Sequence, residues 1–501
     1  MSLTEKLPFT MPLFMKDVQV ASVLCFQWGD TGKGKIVACL APWADINIRG
    51  TGTNNAGHTF YVKYEGKDHK CITHFIPAGI QYDGLGKITI LGSGMGISQQ
   101  GLLEEMAELE GAGITFNNMM ISEDANVIMP YHQTADAPNK SMKDGSVGST
   151  GKGTGPMYSD HVARRGIKFR DLFNRDVFAT KVRKIYGKYY SEQGINVDDM
   201  IAGQLELFEK IKPYVKDTKN YIRLALRENK KILIEGAQGA LLSYEFGSYP
   251  FVTSSDPTIL GTARGCDIPI NCVDLVIGLV KFPVMTRVGP GPFPTEYGGR
   301  KSEDYCAEGD GYKNVKSVEE EKYADVPILE MINDPDPFIK GIGLRRALDE
   351  YGATTGRPRR TGMIDAVAGR HAVEVNSVGP RVILASTKSD CVRGMEKIDI
   401  CTGYGYQKEE PFYTAEGAID NGTRFLDWFP TNSDLLYRFA PGIIESLPGF
   451  NEDIKDVRDY NELPESLELA HRKFEHFVRA PFGMISVGPG TDEIIVRNIK
   501  H

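Results

Sequence analysis

The amino-acid sequence predicts an α/β fold, with a large, mostly parallel central sheet and helices on both faces. Three observations predict it. Short β-branched runs recur along the chain, apolar at nearly every position and ended by glycine or polar loops, which suits strands covered on both sides. Between them lie stretches with apolar residues at three- and four-residue spacing, as in helices that cover a sheet. One strand also runs into a helix through a glycine- and lysine-rich, P-loop-like segment, Gln27-Trp28-Gly29-Asp30-Thr31-Gly32-Lys33-Gly34-Lys35.

In chain order, the strand-like runs are VQVASVLCF (18–26), INIRG (46–50), KITILG (87–92), KKILIEG (230–236), VDLVIGLVKFPV (273–284), RVILAST (381–387) and ISVGPG (485–490). Helical spacing occupies 101–113, 176–190 and one long pattern over 200–229. The acidic, poorly periodic stretch from Arg300 to about Leu329 reads as a surface excursion. Residues 1–16 read as an N-terminal extension and 17–501 as one domain with an insertion at about 300–350.

Composition narrows the function class. With 41% hydrophobic and 25% charged residues, the chain is ordinary for a soluble enzyme. A formal charge of −8 argues against a nucleic-acid or anionic-membrane partner, either of which demands a basic face. Eight cysteines without a CxxC pair argue against a zinc ribbon or dithiol site and fit a reduced, cytoplasmic protein. The first residues lack a basic segment followed by an apolar core, and no uncharged apolar run approaches the roughly 18 residues that span a bilayer.

Chemistry concentrates in the glycine loop. Gly29, four residues, then Gly34-Lys35 gives the phosphate-cradling spacing, with a strand before and a helix after. Ile36 stands where such loops carry a metal-binding hydroxyl, so a metal would need another ligand, and Asp30 is the natural candidate. A carboxylate among phosphates is repelled unless it binds metal or moves a proton. The bland reading is a tight turn. A second small-residue loop, Ile48 to Thr59, holds His58 between Gly57 and Thr59, with Asn55 nearby. A lone histidine is more often a packed or surface residue, but here it could donate to a phosphate or purine oxygen.

QWGDTGKGKIV followed by NNAGHT resembles the paired signatures of the adenylosuccinate synthetase family. The similarity continues in order through GSTGKGTGPMYSDHVARRG (148–166), EGAQGALLSYEFGSYPFVTSS (235–255), TRVGPGPFPTE (286–296), TTGRPRRTGMID (354–365), TKSD (387–390) and SVGPG (486–490). The resemblance implies GTP-dependent ligation of L-aspartate to C6 of IMP, by way of a 6-phosphoryl intermediate and with Mg²⁺. It implies Asp30 and His58 as catalytic residues, with Asp30 and the Gly57 carbonyl as metal ligands. GTP would meet Gly29, Thr31, Gly32, Lys33, Gly34, Lys35, Thr59 and Arg359, with Lys388, Asp390, Ser486 and Gly488 reading the guanine. IMP would meet Asp30, Lys33, Asn55, His58, Thr150, Gln238, Thr253, Arg357 and Arg164, the last given to the neighbouring subunit of a homodimer. Aspartate would meet Thr354, Thr355, Arg357 and Arg359, since a fork of guanidinium groups suits a dicarboxylate.

The sequence also departs from the family pattern. Thr31 replaces a usual Glu, Gly52-Thr53-Asn54-Asn55 replaces Gly-Gly-His-Asn, and Ser243 stands where Asp is common. Ser254 to Gly261 differs throughout, Pro358 interrupts the arginine run, Met363 replaces Trp, and some tens of residues are inserted before Thr354. These changes admit two alternatives: a ligase for another purine nucleotide, such as a guanine nucleotide, or a GTP-binding regulator without catalysis. Retention of Asp30, His58, Arg357 and Arg359 weighs against both.

Overall fold

A computed structural model describes residues 11–137, 151–307, 314–352, 356–377, 379–425 and 428–499. Ten strands form the central sheet: β1 (Val20–Cys25), β2 (Ile46–Arg49), β3 (Ile88–Leu91), β4 (Met119–Ser122), β5 (Val215–Lys216), β6 (Ile232–Glu235), β7 (Leu275–Lys281), β8 (Arg381–Thr387), β9 (Phe482–Ser486) and β10 (Ile494–Val496). Their spatial order is β10-β9-β8-β7-β1-β6-β2-β3-β4-β5. All pairings are parallel except that of β9 with the edge strand β10. The expected α/β architecture is therefore present.

The alternating faces of the strands explain why they read as continuous apolar runs. In β1, Val20 and Leu24 pack into one core, whereas Ala21 and Val23 pack into the other. Likewise Val276 and Val280 of β7 enter the first core, and Leu275, Ile277 and Leu279 the second. Helix α1 (Lys33–Leu40) leaves the glycine loop and is buried along nearly its whole length. A second sheet comprises Val284–Arg287, Arg360–Asp365, Lys397–Tyr406, Arg424–Phe425 and Phe439–Pro448.

Three local expectations need correction. The pattern over 200–229 is two helices, Val197–Ile211 and Thr218–Arg227, parted by a 3-10 turn at Lys212–Tyr214 and by β5. Pro213 denies the first helix its next backbone donor and ends it there. The run 273–284 turns after Lys281, and Val284 opens a strand of the second sheet.

Finally, the stretch after Arg300 is no loose surface excursion. It folds into helices Gly299–Ala307, Lys316–Lys322, Ile328–Ile332 and Pro337–Leu348. Met331, Phe338 and Ile342 make a small apolar core of their own there. The apolar spacing was obscured because buried charge stands in for apolar residues: Glu319 receives Arg345 at 3.3 Å and the Tyr351 hydroxyl at 2.5 Å, and both Glu319 and Arg345 are fully buried. No helix among the described residues is long and apolar enough to cross a membrane.

Candidate active site

Many of the sequence-predicted residues lie on loops at one end of the sheet. Asp30 follows β1, His58 follows β2, Gln238 follows β6, Lys388 and Asp390 follow β8, and Gly488 follows β9. All of these strands are parallel, so all of these loops leave by the carboxyl edge, where open α/β sheets bind their ligands.

The glycine loop is tightly turned. Gly29, Asp30 and Gly32 all have positive φ, at 95°, 50° and 81°, and Gly32 is the residue from which α1 starts. Aspartate tolerates this region better than most side chains. Gly34 is required by contact, because a Cβ there would lie 2.5 Å from the Thr59 carbonyl oxygen. The N-terminus of α1 is thus pressed against the strand His58–Tyr64, which brings the two loops together. Lys33 is buried and donates to the Gln238 carbonyl at 2.8 Å. Lys35 points elsewhere, donating to Ser486 Oγ (2.7 Å), the Gly488 carbonyl (2.5 Å) and the Glu493 carbonyl (3.0 Å). Burial lowers Lys35 to about 8 despite its acidic neighbours. It ties the glycine loop to the 486–493 loop.

Asp30 keeps 40% of its side chain exposed and pairs with Arg359, Nη2 to Oδ2, at 2.9 Å. Enclosure opposes its charge, but Arg359, Lys281, Lys33 and His58 outweigh that and hold the carboxyl below its ordinary range. His58 is buried, and its Nδ1 bonds to the buried carboxylate of Glu235. Burial lowers the imidazole pKa, with help from Lys33 and Arg49, against the pull of Glu235. The Ala78 amide also donates to Glu235, at 2.8 Å. Burial raises the Glu235 pKa less than His58, Arg49 and that amide lower it, so the carboxylate stays ionised.

Around this centre, Gln238 donates to Asn55 Oδ1 at 2.9 Å and accepts from Ser255 at 3.1 Å, and Ser255 in turn lies 3.4 Å from the Thr253 hydroxyl. The Thr31 hydroxyl is buried without a partner in the structure, while its carbonyl accepts from Thr387 at 3.1 Å. Thr59 is half-buried on its strand and Gly57 is exposed. Lys388 donates to the Leu348 carbonyl at 2.8 Å, and Asp390 is half-buried beside Cys391. Arg357 is exposed two residues before Arg359. Arg164 is exposed two residues after the helix Thr154–Val162. Thr150, Thr354 and Thr355 lie outside the described residues.

Sequence reasoning missed several buried groups behind these residues. Glu235 and Lys281 each end an otherwise apolar strand, ILIE and LVIGLVK, and that terminal charge was the available signal. Arg49 ends β2 and donates to the carbonyls of Thr51 (3.2 Å), Thr53 (3.1 Å) and His74, which shapes the loop before His58. One departure also finds a partner: Ser243 Oγ lies 3.5 Å from the carboxylate of Asp256.

A parallel sheet carrying a P-loop-like glycine turn, with an ionised acid in that turn and an arginine paired to it, fits a nucleotide-dependent enzyme of the α/β class. Comparison with known proteins makes this specific. The family model for adenylosuccinate synthetase matches residues 22–495. The adenylosuccinate synthetase of Halothermothrix orenii is 39% identical over 479 residues, covering 94% of this chain and 97% of that protein. That of Caldanaerobacter subterraneus is 37% identical over 489 residues, covering 96% and 99%. The solved structure of fully ligated adenylosuccinate synthetase from Plasmodium falciparum superposes with a TM-score of 0.76 at 30% identity, covering 96% of this chain and 100% of that one. A cyanophage S-2L succinoaminodeoxyadenylate synthetase bound to dGMP and dATP shares the fold alone, at 16% identity and a TM-score of 0.51. The chain belongs to the adenylosuccinate synthetase family. Membership favours GTP-dependent ligation of aspartate to IMP in purine nucleotide synthesis over both alternatives.

Proposed function

We propose that this chain carries out its family's reaction through Asp30 and His58. Asp30 takes the proton from N1 of IMP, and the O6 made nucleophilic by that loss attacks the γ-phosphate of GTP. A purine oxo group leaves poorly, and phosphorylation converts it into a good leaving group. The amine of aspartate then displaces phosphate from C6, giving adenylosuccinate, GDP and phosphate. His58 stabilises the phosphoryl transfer as acid or hydrogen-bond donor. Its ring is neutral while the site is free of anions; an arriving phosphate favours the protonated form, with Glu235 behind it as counter-ion.

The observation that carries this reading is the contact of Arg359 with Asp30 at 2.9 Å. It joins the acid of the phosphate loop to the arginine pair suited to a dicarboxylate, so proton removal and aspartate addition share one cleft. On the same reading, Lys33, Asn55, His58, Gln238 and Thr253 serve IMP, Thr59 serves GTP, and Arg357 and Arg359 serve aspartate. Lys388, Asp390, Ser486 and Gly488 read the guanine. Arg164 serves the IMP of a second subunit, and its exposure leaves it free to cross a homodimer interface. Residues 17–501 act as one domain, and the reduced thiols fit a cytoplasmic protein.

Magnesium fits the donors present. Among the described residues no three His, Cys, Asp or Glu side chains gather into a cage. Mg²⁺ needs none, since it is ordinarily held by one or two carboxylates and substrate phosphates. Asp30, with the Gly57 carbonyl, would hold it, and it would supply charge neutralisation to the phosphates. Purified protein with IMP, GTP, aspartate and Mg²⁺ should form GDP and a product of altered ultraviolet absorbance, and omission of any component should stop it. Asp30→Asn should abolish turnover while GTP binding stays measurable; near-normal turnover would remove the role given to Asp30.

A further inference from the structure

Lys281 is the last residue of β7 and its side chain is only 1% exposed. Burying an ammonium costs several kcal/mol, which a partner in good geometry at best offsets. Its contacts lead to both reacting loops. Its backbone N–H donates to Gln27 Oε1 and its carbonyl accepts from Gln27 Nε2, both at 3.1 Å. Gln27 lies three residues before Asp30 on the same turn. Its ammonium donates to Thr286 Oγ1 at 2.7 Å and pairs with the buried Glu350 carboxylate.

Glu350 continues the path toward the arginines. It sits just beyond the helix Pro337–Leu348, and its carbonyl accepts the Arg359 N–H at 2.9 Å. Gly352 N–H donates to the Arg357 carbonyl at 2.8 Å, so the base of the arginine loop closes here. Arg359 Nη2 then reaches Asp30 at 2.9 Å. The circuit runs from Asp30 through Gln27, Lys281, Glu350 and Arg359 back to Asp30.

We infer that Lys281 is a positioning residue, which holds the arginine loop in register with the Asp30 loop through Gln27 and Glu350 and thereby sets the affinity for aspartate. The described residues of both loops carry no strand, only the isolated bridges Trp28–Arg287 and Tyr351–Pro358. Their mutual placement therefore depends on side chains that bridge them. Lys281 is suited to this because its backbone belongs to the rigid sheet while its ammonium spans to Glu350. A misplacement of about 1 Å in such a frame costs on the order of 100-fold in rate.

The inference rests on the reading of Arg357 and Arg359 as the aspartate grip, so Arg359→Leu serves as the reference variant. Lys281→Met and Glu350→Gln should each raise the KM for aspartate about tenfold or more, with the KM values for IMP and GTP within about twofold of the parent. The double variant Lys281→Met/Glu350→Met removes both buried charges, and its melting temperature should recover toward the parent. Its KM for aspartate should stay raised, which a purely stabilising pair would not produce. If Arg359→Leu raises that KM and the Lys281 and Glu350 variants leave it within twofold of the parent, Lys281 has no positioning role. If Arg359→Leu itself leaves it unchanged, the aspartate assignment falls, and the inference with it.

Discussion

At the scale of single residues, each of the two residues proposed to react is held by a side-chain partner. His58 has Glu235, and Asp30 has Arg359. The Glu235 carboxylate fixes which ring nitrogen of His58 carries the proton, and it keeps the ring in one orientation. Glu235→Gln should lower kcat by roughly 10- to 100-fold while leaving the substrate KM values nearly unchanged. Because the two residues act as a unit, Glu235→Gln on a His58→Ala background should cost little more, and an additive loss in steady-state assays would contradict the pairing. Asp30 and His58 were legible because glycine loops and family signatures mark them. Glu235, Lys281 and Glu350 were not, since a lone charge at the end of a strand or helix has no periodicity. Only the folded chain brings residues 235 and 58 into contact.

At the scale of elements, the approach of α1 to the strand His58–Tyr64 joins the glycine loop to the loop that carries His58. Gly34→Ala would place a methyl group 2.5 Å from the Thr59 carbonyl. Backbone must shift to accept it, so a loss of about 2 kcal/mol in chemical denaturation is expected, with weakened GTP binding in calorimetry. Unchanged values would mean that the contact relaxes freely. Each of the seven strand-like runs holds a strand of the central sheet, the run 485–490 only at Ile485 and Ser486, because strands buried on both faces write an apolar run. Short edge pieces such as β5, two residues long, carry too little sequence to register. The helices after Arg300 stayed hidden for another reason, since their packing uses the Arg345–Glu319 ion pair where an apolar residue would have shown the period.

At the scale of the whole molecule, two apolar cores cover the sheet, and one holds an unusual member. His471 is fully buried, and neither ring nitrogen has a hydrogen-bond partner in the structure. Phe282 and Phe482 flank it, each with ring centroids 4.7 Å away. Burial, with a smaller push from Arg497, lowers its pKa from 6.5 to about 3. The folded state therefore keeps the neutral ring, whereas the unfolded chain protonates below its ordinary value. Stability from this site is full above about pH 6.5 and falls as pH drops below it, by about 2 kcal/mol at pH 5. His471→Leu should remove that part of the acid sensitivity, so the melting temperatures of parent and variant should converge or cross on acidification. Parallel pH curves would show that His471 does not titrate on unfolding. The general architecture was legible in the sequence, but the role of this histidine depends on which rings surround it.

The position of β1 at the middle of the sheet has a further consequence during synthesis. All six of its residues are buried, and its flanking strands begin their pairing at Ile232 and Leu275. A ribosome adding about 5–20 residues per second exposes this apolar strand for on the order of ten seconds or more before either neighbour exists. Ser486 and Gly488, which meet Lys35, emerge more than 400 residues after it. On the proposed reading, in which Ser486 and Gly488 meet the guanine, nucleotide cannot steady the nascent chain until residue 488 has emerged, and this buried strand must be kept from other chains until then.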